Sequence, residues 1–249
     1  MSKVIGVIPA RLNSKRFPAK ALAPLKGKPL LFYVWNQARK AKTLSRVIIA
    51  TDSKEIAKAA ESFGAEVLMT SRRPRNGSER VAEVADRVKG DIFVSVQGDF
   101  LRFNPKWIDS GVNALSPQKK LQFLTLVTRI RDDKELFDPD RVKAVVRHCN
   151  APETPEALWF SRYPVPFVRS ESKQGDSEHW RGFKFWKHLG IYFYRRSGLK
   201  LYQSWPIAVY ETAESLEQLR ILENGARIGA LEVRGKSICV DSPKDLERY

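Results

Sequence analysis

Cysteine is scarce in this 249-residue chain. Its two copies, Cys149 and Cys239, stand far apart, which excludes a disulfide framework and a zinc-type cysteine cluster. A reducing cytoplasm is the expected setting. Long apolar runs are missing too, since no stretch approaches the ~18 apolar residues of a membrane span. Pro9 and Arg11 break the first apolar run, too soon for the core of a signal peptide. The chain is therefore expected to be soluble and unprocessed, with no membrane insertion. Acidic residues are in deficit: Lys and Arg outnumber Asp and Glu by 44 to 28, a formal charge of +16. That balance suits a nucleic acid, an anionic membrane or a small polyanionic substrate, and does not choose among them. Internal repeats and low-complexity tracts are absent.

What is present alternates. Residues 4–8, 46–50 and 92–96 are apolar with few polar breaks and no period of two, as strands buried on both faces of a parallel sheet read. Between them lie helical stripes. Leu30, Leu31, Val34, Trp35 and Ala38 share one face behind Pro29. A second helix is capped by Ser53 and runs to Gly64. A third begins near Ser78, read as its N-cap, and carries Val81, Val84, Ala85 and Val88 on one side. Three strand–helix alternations before residue 100 predict an α/β fold, with ligands beyond the carboxyl ends of the strands. Further strands are expected at 123–128, 141–146, 189–194 and 228–233. A helix is expected at 214–223, closed by Gly225, and a short one after Ser242-Pro243. The length fits one continuous domain, interrupted at 163–187 by a polar excursion too long for a simple connection.

The loop after the first strand, "ARLNSKRFPAK", has no glycine. A Walker-type loop is excluded, because backbone N–H groups cannot close on phosphates without glycines. Arg11, Arg16 and Lys20 offer side-chain cations instead, a set that suits a triphosphate or else forms a solvated basic loop. "FVSVQGDF" ends a buried strand in Gln97-Gly98-Asp99, and "SICVDSPKDL" ends another run in Asp241. Carboxylates at strand ends are candidate magnesium ligands, although either could cap the next helix.

In this order the pieces resemble the 3-deoxy-manno-octulosonate cytidylyltransferase family. The matching stretches are "IPAR" at 8–11, Lys20, "ATD" at 50–52, "NGSERVAEV" at 76–84, "QGD" at 97–99, "FSR" at 160–162, "HLGIY" at 188–192, "LEQLR" at 216–220 and "VDSPKDLE" at 240–247. The resemblance spans nearly the whole chain. It implies a mixed, mostly parallel central sheet of the nucleotidyltransferase, GT-A-like and Rossmann-like, type. It also implies a homodimer, with a dimerisation and sugar-binding excursion at about 129–200. The implied reaction joins CTP to a 2-keto sugar acid, for lipopolysaccharide biosynthesis, and releases pyrophosphate.

Carried over by position, the resemblance puts Arg11, Arg16 and Lys20 on the phosphates, with Arg11, Lys20 and Asp99 catalytic. Ser14, Thr51, Asp52, Gly77, Ser78, Arg80 and Gln97 surround the nucleotide. Asp99 and Asp241 hold Mg2+. Arg162, His188, Tyr192, Glu217 and Gln218 surround the sugar acid, Arg162 being the cationic partner that its carboxylate needs. The family continues "QGD" with Glu-Pro, whereas this chain has Phe100 and Leu101, which implies an altered sugar pocket with Phe100 as its reader. Two rivals stay open. Trp180, Arg181, Phe183, Lys184, Phe185, Trp186 and Lys187 mix rings and cations as a single-stranded nucleic-acid binder would, without turnover. A different nonulosonic-type acid is the other.

Overall fold

The computed structural model describes residues 2–12, 17–147, 154–169, 182–240 and 242–248. The chain packs as two compact units, each drawn from several stretches: 1–124, 190–206 and 235–249 form the first, and 125–189 with 207–234 the second. The sequence instead suggests a single domain with an excursion at about 129–200.

The first unit begins with β1 (Val4–Ala10), two-residue strands β2 (Pro24–Leu25) and β3 (Lys28–Pro29), and α1 (Leu30–Ala38). Next come β4 (Arg46–Thr51), α2 (Lys54–Ser62), β5 (Glu66–Met69), α3 (Gly77–Arg87), β6 (Ile92–Val96) and α4 (Lys106–Leu115). Its sheet runs β5-β4-β1-β6 and ends on the later strand β10 (Trp186–Arg195), which α6 (Arg196–Ser204) follows. The first four strands are parallel and β10 is antiparallel to β6. Ile5, Val7, Ile8, Ile48, Ile49, Ile92, Phe93, Val94 and Val96 are fully buried, which is why these strands read as continuous apolar runs. Ser53 caps α2 as expected, its hydroxyl accepting the Ile56 N–H at 3.3 Å. Ser78 does not cap α3. Asn76 does, through Oδ1 to the Glu79 N–H at 2.9 Å, because the Ser78 hydroxyl is drawn inward to Tyr194.

The second unit holds most of β7 (Phe123–Arg129), with α5 (Asp133–Phe137), β8 (Lys143–Arg147), β9 (Glu156–Ser161), α7 (Val209–Glu214), α8 (Leu219–Glu223) and β11 (Ile228–Glu232). Its strands run β7-β11-β9-β8, and the first residues of β10 pair with β8, Lys187 opposite Lys143. The single helix expected at 214–223 is instead two short ones, broken where Ser215 turns left-handed at φ 52°. Gly225, at φ 73°, stands just past the second, the αL position that glycine takes without cost.

Candidate active site

Three neighbouring parallel strands of the first unit deliver their carboxyl ends to one edge of the sheet. Ala10 closes β1 beside Thr51 of β4, and β6 runs parallel on the other side of β1. Arg11, Asp52 and Gln97-Gly98-Asp99 are the residues that follow. Open α/β sheets bind ligands at such an edge. Gly98 lies against the first strand: a Cβ there would stand 3.0 Å from the Pro9 carbonyl oxygen, a contact glycine avoids. The turn is pinned by the Phe100 N–H donating to the Gln97 carbonyl and the Val240 N–H to the Asp99 carbonyl, both at 3.0 Å.

Asp99 faces Lys20. The ammonium lies 2.5 Å from Asp99 Oδ2 and donates to the Val240 carbonyl at 2.8 Å, with the lysine side chain 13% exposed. A carboxylate and a carbonyl converging on one cation form the hard-oxygen donor set that magnesium prefers, so these residues fit a divalent ion. Among the described residues no group of three His, Cys, Asp or Glu gathers as a ready metal cage. Ser14, Arg16 and Asp241 lie outside the described residues.

Arg11 donates from Nη1 to the Arg75 carbonyl at 3.3 Å. Glu79 in turn fixes Arg75, accepting its backbone N–H and its Nη2, each at 2.8 Å. Arg80 is buried, donates to the Thr70 hydroxyl and lies 3.5 Å from Asp52 Oδ1. Burial depresses its pKa, and the charges of Asp52 and then Glu83 oppose that shift. The Thr51 hydroxyl accepts the Ser53 N–H at 3.1 Å. Gly77 opens α3, and Ser78 Oγ meets the Tyr194 hydroxyl at 2.5 Å. Tyr192, buried and opposite Ser95 in the β10–β6 pairing, stacks on Tyr194.

Phe100, expected to read the sugar, is buried. Its ring is 1% exposed and stacks on Phe103 with centroids 5.3 Å apart and planes 11° off parallel. The ring is part of the buried core beneath the turn.

In the second unit the Arg162 guanidinium is held by main-chain carbonyls: Glu214 at 2.7 Å, Pro139 at 3.0 Å and Ser215 at 3.5 Å. Glu214 Oε2 accepts the Arg162 N–H at 2.9 Å and Oε1 the Ser161 hydroxyl at 2.6 Å. His188 Nε2 lies 2.8 Å from the Thr125 hydroxyl, and its ring meets Phe160 edge-on. Although the residue as a whole is only partly buried, desolvation pushes its pKa down to about 3, so the imidazole is neutral near pH 7. Glu217 is half-buried and Gln218 buried in the turn between α7 and α8. Sequence reasoning overlooked Glu214, Thr125 and Lys143. Of these only Lys143 left a signal, a lone cation at the start of the apolar run "KAVV".

Among the described residues of the aromatic and cationic run, Phe183 and Lys184 are exposed while the rings that follow turn inward. Phe185 and Trp186 are 3% and 6% exposed, and Phe185 packs with Ile130 and Leu136. Lys187 pairs with Glu135. Trp180 and Arg181 lie outside the described residues. No helix among the described residues is long and apolar enough to cross a membrane.

This α/β sheet with its strand-end acid and cations defines a nucleotidyltransferase, and a family model described as Cytidylyltransferase matches residues 5–228. A 3-deoxy-manno-octulosonate cytidylyltransferase of Solibacter usitatus (strain Ellin6076) is 42% identical over 246 residues, covering 99% of this chain and 92% of that protein. One of Geobacter sulfurreducens is 40% identical, covering 98% and 97%. The chain belongs to the 3-deoxy-manno-octulosonate cytidylyltransferase family. A solved structure of CMP:2-keto-3-deoxy-manno-octonic acid synthetase complexed with CTP superposes with a TM-score of 0.87 at 34% identity, covering 99% of this chain and 96% of that one.

Proposed function

We propose that this enzyme transfers the cytidylyl group of CTP to the anomeric hydroxyl of 3-deoxy-manno-octulosonate, or of a near analogue, for lipopolysaccharide biosynthesis. The hydroxyl attacks the α-phosphorus in line, the bond to the β-phosphate oxygen breaks, and pyrophosphate leaves. The observation that carries this reading is the Lys20–Asp99 pair at the carboxyl end of β6, in a chain similar over its full length to cytidylyltransferases. Arg11, Arg16 and Lys20 neutralise the triphosphate. Ser14, Thr51, Asp52, Gly77, Ser78, Arg80 and Gln97 line the nucleotide. Asp99 and Asp241 hold magnesium, which when bound polarises the phosphoryl oxygens and stabilises charge on the leaving group.

Arg162 receives the sugar carboxylate, and His188, Tyr192, Glu217 and Gln218 orient the sugar hydroxyls. A neutral His188 is positioned to exchange hydrogen bonds without adding charge. The enzyme works in the cytoplasm as a homodimer. Tyr163 and Phe167 supply exposed apolar surface for an interface, being 76% and 85% exposed, and a monomer mass by light scattering would remove that part of the reading. The activity is tested by incubating the protein with CTP, magnesium and a panel of 2-keto sugar acids while following pyrophosphate. Release that depends on the sugar acid is expected. No release with any member of the panel would overturn it.

A further inference from the structure

Lys143 is fully buried, at 0% exposure. Long cations rarely go wholly under the surface without a carboxylate partner, yet the acceptor of its ammonium is a carbonyl, that of Asp138, at 2.9 Å. Its place in the second unit explains what that bond does. On β8 it stands opposite Ser161 of β9, the residue before Arg162. Asp138 opens a tight turn in which the Arg141 N–H returns to the Asp138 carbonyl at 3.0 Å and the Asp140 N–H to Asp138 Oδ1 at 2.8 Å. The next carbonyl of this turn, that of Pro139, accepts Nη1 of Arg162. Two cations therefore grip consecutive carbonyls of one turn, Lys143 from below and Arg162 at its half-exposed rim.

The charges around this arrangement leave Arg162 ready for an anion. Its guanidinium donates to neutral carbonyls, and the Asp140 carboxylate lies 3.8 Å away. Lys143 lies in the field of Asp138, Arg162 and Glu214, and burial lowers its pKa.

We infer that Lys143 is a positioning residue for the second substrate: it fixes the 138–140 turn against which Arg162 is held, so that the guanidinium is set to receive the carboxylate of a 2-keto sugar acid. The inference rests on the reading that Arg162 binds that carboxylate. It adds that the affinity of this contact is set by a lysine that never touches the ligand.

The test compares Lys143→Met, which keeps volume and loses the donor, with Lys143→Arg, which keeps a donor. Wild-type turnover is measured alongside. Lys143→Met is expected to raise KM for the sugar acid about tenfold or more, with KM for CTP within about twofold. Lys143→Arg is expected to recover most of the loss. Thermal unfolding accompanies each assay, and if Lys143→Met does not fold, Lys143→Gln is read in its place. An unchanged sugar-acid KM in a folded variant overturns the inference, as does a parallel rise in both KM values, which marks a general structural role. A wild-type protein that turns over no sugar acid overturns the underlying reading and the inference with it. An active wild type with an indifferent Lys143 overturns the inference alone.

Discussion

The Lys20 ammonium lies 2.5 Å from Asp99 and 2.8 Å from the Val240 carbonyl, so one cation from the first loop ties the end of β6 to the chain just before Asp241. Removing the carboxylate leaves that lysine its second acceptor, and the fold survives. The chemistry does not, because the asparagine side chain is a weak ligand for a hard divalent cation. Asp99→Asn is expected to lower kcat/KM by about a thousandfold or more, roughly 4 kcal/mol of transition-state stabilisation, with a melting temperature near that of the parent. Chelation of magnesium should stop the parent equally. Turnover within tenfold of wild type in Asp99→Asn would assign the carboxylate a purely structural role.

Phe100 yields a prediction about stability. Its ring is buried flat against Phe103, and restoring the family's glutamate there would place a carboxylate in that apolar contact. Burying an unpaired charge costs several kcal/mol. Phe100→Glu is expected to lower the melting temperature by several degrees without moving the preference between sugar acids, whereas Phe100→Leu is expected to keep both activity and preference. A stable Phe100→Glu variant with altered sugar preference would return residue 100 to the pocket.

The parts legible in the sequence were those whose environment is uniform. β1, β4 and β6 are buried on both faces, so every position is apolar and the strands declare themselves. Ser53 directly precedes the helical stripe of α2, and it is the residue that caps it. Asn76-Gly77-Ser78 offers two, and the choice was made by Tyr194, a residue more than a hundred positions away. The break at Ser215 escaped notice because Val209, Ala213, Leu216 and Leu219 keep a helical spacing of three and four across it. Lys143 stands in the sequence only as a cation at the head of an apolar run, and nothing local shows that its ammonium ends on the Asp138 carbonyl. Phe100 was visible as a departure, but the direction of its ring was not.

His188 makes the acid side of the stability curve informative. Burial pushes its pKa to about 3 from the ordinary 6.5, so between those values the unfolded chain binds a proton that the native protein refuses. Stability is therefore fully present above about pH 6.5 and is lost as pH falls from there toward about 3. The urea midpoint of wild type should drop more between about pH 7.5 and about pH 5 than that of His188→Asn, which lacks the linked proton. Equal losses in the two proteins would mean that His188 titrates normally when folded. The imidazole signal in NMR spectra should likewise stay unshifted over this range.

Glu211 and Arg220 set the frame for the turn that carries Glu214, Glu217 and Gln218. The carboxylate of Glu211 receives Nε and Nη2 of Arg220 at 2.7 and 2.5 Å, with both side chains under 10% exposed. This pair joins two helices of only six and five residues, too short to stand alone. Glu223 adds a second link, its carboxylate accepting the Val209, Tyr210 and Glu211 N–H groups. Breaking a buried pair from one side strands the other charge and costs roughly 3–5 kcal/mol. Glu211→Leu alone should therefore lower the urea midpoint sharply. Glu211→Leu with Arg220→Met removes both charges together and should recover most of that stability, as apolar replacements of buried pairs often do. Sugar-acid KM separates packing from geometry. The bidentate fork fixes helix α8 against α7 in one orientation, so the double variant is expected to remain poorer than wild type toward the sugar acid, while its KM for CTP is unchanged. Full recovery of sugar-acid KM together with stability would show that the turn needs only a filled core beneath it, and that the ion pair does not orient Glu217 and Gln218.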